Sequence, residues 1–317
     1  MASMRNRLCS RSHNLDILKQ LRIPVNKKMK HYFRLLRPSQ WIKNTFVFAP
    51  LVFSKHLFSV PYLLIAFKGF VAFCIVSSAV YIINDIFDIH EDRGHPVKRG
   101  RPLASGAVRV PSAIVLVGIL LVLASLLCLG LDQNFRLILL LYLLLQFLYS
   151  IVLKKIAILD VFIIASGFML RVLAGALVID VLVSQWIILC TMFLSLFLAM
   201  AKRRGEIVLF QQAEATSERR VLEQYDVAFL DSTMMITASG MAISYALYTV
   251  AERTVNVFGT EYLIFTTIFV LFGIFRYLFL VMRKNMGENS VVIILKDKPM
   301  FINLCLWFLA CVLIIYH

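Results

Sequence analysis

Three aspartates and four Lys or Arg residues share one short stretch, YIINDIFDIHEDRGHPVKRGRPLASG, running from Tyr81 to Gly106. On a continuing helix Asp85 and Asp88 fall three apart and Asp92 four beyond Asp88, all on one side. Tyr81 lies near that side and Asn84 at its border. Carboxylates gathered in this way are costly unless they are paired, and their hard oxygens suit magnesium. Lys98, Arg99 and Arg101 follow directly and offer cations for phosphate oxygens, arginine with a bidentate grip. Helix-end charges joined in loop salt bridges would be the plainer account. An acidic face that runs straight into a basic stretch favours a site for magnesium and phosphate.

Two later stretches carry similar chemistry. In YSIVLKKIAILD, Tyr149 to Asp160, Lys154 and Lys155 stand at a membrane boundary and Asp160 sits about one turn inside the next apolar run. Asp160 either forms a Lys–Asp bridge that fixes its helix or stands beside substrate or a second magnesium. Arg171, eleven residues further on, and Arg276 in a later run each need a partner, because an isolated charge in hydrocarbon is costly. Both could bind phosphate or close an ion-pair network, and the network is favoured for Arg276. AKRRGEIVLF, Ala201 to Phe210, adds Lys202, Arg203 and Glu206, with Lys202 and Glu206 spaced for an i,i+4 bridge. These three read either as a solvated cap or as contacts to a polyphosphate. The mixed charges of Glu218, Arg219, Arg220, Glu223 and Asp226 read as an interfacial amphipathic helix.

The elements that position these residues are membrane spans. Of the 317 residues 60% are hydrophobic and 16% charged, and the mean hydropathy is +0.82. Apolar runs predict an all-α polytopic bundle of nine spans, near 42–60, 62–84, 108–129, 135–151, 156–179, 184–201, 229–250, 259–281 and 300–316. The first is the weakest, interrupted by Pro50, Lys55 and His56, and reads equally as a bent or partly interfacial helix. No internal repeat or separate soluble domain is evident. Residues 1–41 read as a basic cytoplasmic arm and 42–317 as one transmembrane catalytic domain.

The net charge of +15 does not point to nucleic acid. Lys and Arg concentrate in alternate connections, with Lys55, Arg136 and Arg253 as the main exceptions. That asymmetry places the N terminus and the candidate site in the cytoplasm and the C terminus outside, as in a bacterial inner membrane protein. The same charge would attract anionic membrane lipids. The six cysteines lack ligand spacing, so neither a zinc site nor a disulfide framework is expected.

In motif order and span pattern the chain resembles the UbiA superfamily of intramembrane prenyltransferases, and more closely its decaprenyl-phosphate phosphoribosyltransferase branch. The resemblance runs from about Leu36 to the C terminus. NDIFDIHEDRGHPVKRGRPLASG carries most of it, with LRPSQWIKN, YSIVLKKIAILD, AKRRGE and KDKP in support. It implies a nine-helix bundle around a lipid-accessible cavity, with magnesium chemistry at the cytoplasmic mouth. It further implies that Asp85, Asp88 and Asp92 serve a metal-diphosphate site, continued by Lys98, Arg99 and Arg101. Asp160, Lys202, Arg203 and Glu206 match the later polar motifs.

One departure bears on the substrate. Aromatic prenyltransferases of the superfamily usually carry a second aspartate-rich motif after the sixth span, where this chain has AKRRGE and only a late Asp226. The difference favours phosphoribosyl diphosphate as donor and a polyprenyl phosphate as acceptor. In that reading Asp85, Asp88 and Asp160 are the catalytic candidates. The phosphate-binding candidates are Asn84, Lys98, Arg99, Arg101, Lys154, Lys155, Arg171, Lys202, Arg203 and Glu206. An aromatic prenyltransferase is the second expectation, and a transporter or non-enzymatic scaffold the third. The lack of repeated halves weakens the transporter.

Overall fold

The computed structural model describes residues 24–95, 97–212, 222–284, 293–294 and 296–317. Glu218, Arg219 and Arg220 of the expected amphipathic helix lie outside the described residues. A short α1, Pro24–Leu35, leads to a 3-10 segment, Pro38–Phe48, and to α2, Ala49–Phe53. Then come α3 (Val60–Phe87), α4 (Ile89–Gly94), α5 (Val110–Cys128), α6 (Gln133–Ile151) and α7 (Leu159–Val178). The chain continues through α8 (Gln185–Gln212), α9 (Val227–Val250), α10 (Glu252–Phe258), α11 (Thr267–Lys284) and α12 (Lys298–Tyr316).

Among the described residues eight helices are long and apolar enough to cross a membrane, one fewer than the nine spans expected. The missing one is the run 42–60, which is broken rather than continuous. Arg37 enters it in a left-handed conformation (φ 52°), Pro38 and Pro50 each start a helical piece, and Lys55 ends it at φ 62°. Proline cannot donate an intrahelical hydrogen bond, so it suits the first turn and breaks an interior. The run therefore divides into a 3-10 segment and a five-residue helix.

Helix length decides where the polar residues emerge. About twenty residues cross the hydrocarbon, whereas α3 and α8 each have 28. Both overshoot at the same end of the bundle. The excess turns of α3 carry Tyr81, Asn84 and Asp85, and those of α8 carry Lys202, Arg203 and Glu206. The sequence reading ended the sixth span at 201 and placed AKRRGE beyond it. Instead the helix runs on to Gln212, which fixes those side chains on a rigid element.

Burial separates central from peripheral helices. In their most apolar stretches α7 is 67% and α3 56% buried, against 11% for α12, whose side chains face outward. α7 serves two cores: Val161 and Ala165 pack with α8, α9 and α11, while Leu170, Ala174 and Val178 pack with α3, α6 and the 3-10 segment. Gly175 allows that segment to lie close, because a Cβ there would meet the Val47 carbonyl oxygen at 2.1 Å. Aspartates cap three helix starts, with Asp132 accepting from the Asn134 N–H, Asp226 from Phe229 and Asp297 from Met300. Arg276 pairs with Asp297 at 2.8 Å, the structural network expected for it.

Candidate active site

The overshooting ends of α3 and α8 and the start of the 3-10 segment enclose a pocket of about 430 Å³. Six of its lining residues are basic, Arg34, Arg37, Lys43, Lys98, Arg101 and Lys202, against two acids, Asp85 and Glu206. Such an excess of positive charge in a partly enclosed space attracts a multiply charged anion.

The first aspartate motif is fully buried, with Asp85, Asp88 and Asp92 each no more than 2% exposed. They do not converge as a three-ligand cage. The helix breaks at Asp88 (φ −91°, ψ 6°), and the turn into α4 separates the partners. Arg101 donates to Asp85 at 3.1 Å and to Asp92 at 2.6 Å, and Arg37 also donates to Asp85. Asp88 instead accepts from Lys154 and, at 2.8 Å, from the Asn84 amide. Among the described residues no group of three His, Cys, Asp or Glu side chains is arranged to hold a metal. Two buried oxygens nevertheless lack a hydrogen-bond donor, Asp85 Oδ2 and Asn84 Oδ1. Hard oxygens from adjacent residues fit a divalent cation that takes one or two carboxylates and completes its shell with substrate phosphates.

Behind the pocket runs a buried relay. Arg203 donates to Asp160 at 2.7 Å, to Glu206 at 2.7 Å and to the Tyr149 hydroxyl at 3.2 Å. Tyr225 donates to the other Asp160 oxygen at 2.7 Å and accepts the Ile158 N–H at 2.6 Å. Glu206 accepts from Lys98 at 3.1 Å, so the expected Lys202–Glu206 bridge is replaced by contacts to Arg203 and Lys98. Asp160 does not line the pocket; both of its oxygens are engaged within the relay.

Asn84, Asp88, Asp92, Lys154, Arg203, Arg99, Lys155 and Arg171 are likewise outside the pocket lining. Arg99 and Lys155 are exposed. Arg171 is buried deeper, donating to Asn44 at 2.7 Å, the Gly167 carbonyl at 2.7 Å and the Tyr142 hydroxyl at 2.8 Å, with Phe73, Tyr142 and Phe168 around its guanidinium. The partners it needs are neutral acceptors and aromatic faces. Conversely, the sequence reading assigned no role to Arg37 or Lys43, although both lie in its LRPSQWIKN motif. Burial pulls the Arg37 guanidinium below its ordinary value, against the opposing influence of Asp85. His95 was missed as well: its Nδ1 accepts the N–H groups of Val97 and Lys98 and so shapes the turn that presents Lys98.

A helical membrane bundle with buried aspartates and a cationic pocket at one end has the make-up of an intramembrane transferase. The profile of the UbiA prenyltransferase family matches residues 45–305, and the chain belongs to that family of membrane enzymes. It is 35% identical over 237 residues to the decaprenyl-phosphate phosphoribosyltransferase of Mycolicibacterium smegmatis, covering 74% of each chain. With the protein of the same name from Mycobacterium tuberculosis it shares 32% identity over 219 residues, 68% of this chain and 72% of that one. The fold matches a UbiA homologue from Archaeoglobus fulgidus solved with GPP and Mg2+. The TM-score is 0.68 at 18% identity, covering 90% of this chain and all of the other.

Proposed function

We propose that the protein transfers the 5-phosphoribosyl group from phosphoribosyl diphosphate to a polyprenyl phosphate, with magnesium as cofactor. The pocket faces the cytoplasm of a bacterial-type plasma membrane and the C terminus lies outside. The observation that carries this reading is the pocket wall on α8. Where aromatic prenyltransferases usually bear a second acidic cluster, this wall presents Lys202 beside a Glu206 already held by Lys98 and Arg203. A cationic wall suits a reaction in which donor and acceptor both bring phosphate. The names of the relatives agree with it.

In the reaction an oxygen of the lipid phosphate forms a bond to the anomeric carbon of ribose as the carbon–oxygen bond to diphosphate breaks, and the bonding electrons leave with diphosphate. The acceptor oxygen is already anionic, so no general base is required. The product is a β-linked polyprenylphosphoryl phosphoribose. Magnesium, when bound through the free oxygens of Asp85 and Asn84, with Asp88 joining only by giving up its Lys154 or Asn84 contact, would neutralise charge on the diphosphate. Arg37 and Arg101 stand on Asp85 and would meet the leaving oxygens, and Asp92 orients Arg101. Donors fixed in advance of the reaction contribute more than donors that must reorient. Asp160 and Arg203 act as positioning residues that hold Glu206 and, through it, Lys98.

Purified protein given labelled phosphoribosyl diphosphate, magnesium and polyprenyl phosphates of several lengths should yield a ribose-phosphate lipid by mass spectrometry. A protein that instead transfers a prenyl group from its diphosphate to an aromatic acceptor would overturn the assignment.

A further inference from the structure

Five of the six pocket cations fall into two groups by depth and by partner; the sixth, Arg34, comes from α1. At the outer level Arg37 and Arg101 are bound to Asp85, and Lys98 is bound to Glu206. Lys43 and Lys202 also line the pocket, yet neither makes a side-chain hydrogen bond or salt bridge among the described residues. Glu206 acts on Lys202 only from beyond contact, its two oxygens being taken by Lys98 and Arg203.

The hydrogen bonds of the 3-10 segment give its descent along α3. Arg37 stands at Asp85, Trp41 donates to Ser78 at 3.0 Å, and Asn44 donates to Ser77 at 3.1 Å. Eight residues of α3 separate Asp85 from Ser77, about 12 Å at 1.5 Å per residue. Lys43, next to Asn44, therefore sits roughly 10 Å inward of the Asp85 ion pairs by the same rise. Lys202 is likewise inward of its neighbour, since α8 runs toward the mouth and Lys202 precedes Glu206 by one turn. Both lysines line the one pocket, within reach of each other's charge. Two like charges lining the same half-closed pocket are costly unless an anion joins them. Their placement is also fixed: Arg171 holds Asn44 beside Lys43 at 2.7 Å, and Lys202 shares a helix turn with the buried Arg203.

We propose that Lys43 and Lys202 form a second phosphate station, inward of the Asp85 ion pairs, that receives the phosphate of the lipid acceptor. The inference rests on the phosphoribosyl-transfer reading. A lipid phosphate whose chain lies in the bilayer reaches the pocket from its membrane side, where these lysines stand, while a water-soluble donor enters at the outer level. Phosphate held at the inner level would direct an oxygen outward, toward a ribose whose diphosphate lies against Arg37 and Arg101. The station takes a phosphomonoester, and the donor's own 5-phosphate has the same chemistry, so the test separates the two.

Binding is measured in detergent with a polyprenyl monophosphate, the corresponding polyprenol, phosphoribosyl diphosphate and ribose 5-phosphate. Wild-type protein should prefer the lipid phosphate to the alcohol and bind it undiminished when magnesium and a non-transferable analogue of phosphoribosyl diphosphate are saturating. Lys43→Gln and Lys202→Gln should each weaken the lipid phosphate about tenfold or more, the loss expected for a hydrogen bond to a charged group. Phosphoribosyl diphosphate should stay within about twofold of its wild-type affinity on the same grounds, which also reports that the variants fold. Lys43→Arg and Lys202→Arg should keep most of the lipid-phosphate affinity. Equal or greater loss for phosphoribosyl diphosphate or ribose 5-phosphate, unchanged lipid-phosphate binding in both Gln variants, or competition between the two substrates in wild-type protein would each overturn the station. Failure of the phosphoribosyl-transfer reading is seen separately, as absence of ribose-phosphate lipid from wild-type turnover.

Discussion

Arg203 on α8 donates through Nε to Asp160 on α7 at 2.7 Å, and both side chains are closed to solvent. The bond ties the two helices where their polar residues meet. Removing one partner of such a pair strands a buried charge, at a cost of about 3–5 kcal/mol, whereas replacing both with apolar side chains is milder. Asp160→Leu should therefore lower the melting temperature in detergent sharply, and Asp160→Leu with Arg203→Met should recover part of the loss. Equal melting of wild type and Asp160→Leu would show that the pair contributes nothing.

Asp85 and Asp88 lie one helical turn apart but keep different company, Arg37 and Arg101 for the first and Lys154 with Asn84 for the second. If both serve magnesium and donor diphosphate, Asp85→Asn and Asp88→Asn should each cost about a hundredfold or more in turnover, the scale of lost transition-state electrostatics. Insertion into the membrane should be unchanged. Calorimetric titration of magnesium with a donor analogue checks the binding. Wild-type affinity and turnover in both variants would remove them from the metal site.

What the sequence made legible follows the reach of local patterns. Long apolar runs gave the spans, and one stretch of sequence held both Asp85 and its partner Arg101. The 42–60 run looked like one more span because composition does not distinguish a 3-10 segment broken by prolines from a continuous helix. The course of the 3-10 segment along α3, which brings Arg37 to Asp85 and Lys43 into the pocket, leaves no local pattern to read. The i,i+4 spacing of Lys202 and Glu206 was visible, but Lys98 arrives from a connection more than a hundred residues earlier and occupies Glu206. Arg171 was expected near a phosphate or an ion-pair partner. Its actual partners, Asn44 and Tyr142, bear no charge and leave no electrostatic signature in a sequence.

A pH dependence follows at the start of α12. The hydrogen bond from Arg276 holds the Asp297 carboxyl below its ordinary value of 3.8, and the cap to Met300 acts in the same direction. A carboxyl lowered by folding contributes stability above its unfolded value and loses it as pH falls through the folded one. The melting temperature of wild type should thus exceed that of Asp297→Asn at neutral pH, and the gap should narrow as the solution is acidified below about pH 4, where unfolded aspartate takes up its proton. A gap that stays constant down to pH 3 would count against the ion pair.

The close seat of the 3-10 segment on α7 gives the last prediction. A Cβ at Gly175 would lie 2.1 Å from the Val47 carbonyl oxygen and 2.8 Å from its carbon. Those are backbone atoms, so the clash cannot be relieved by rotating a side chain, and the segment must lift away. Arg37 stands at the start of that segment and Lys43 within it, so lifting it disturbs the pocket about two helical turns away. Gly175→Ala should cost about 1–3 kcal/mol, the usual range for overpacking, and should weaken both donor and acceptor. Gly118 on α5 supplies the comparison, because a Cβ there meets nothing within 4 Å. Gly118→Ala should be neutral or stabilise slightly, since alanine favours helix over glycine by about 1 kcal/mol. Melting curves and substrate titrations of the two variants side by side give the answer: if Gly175→Ala melts and binds like Gly118→Ala, the segment does not lie against α7 as described.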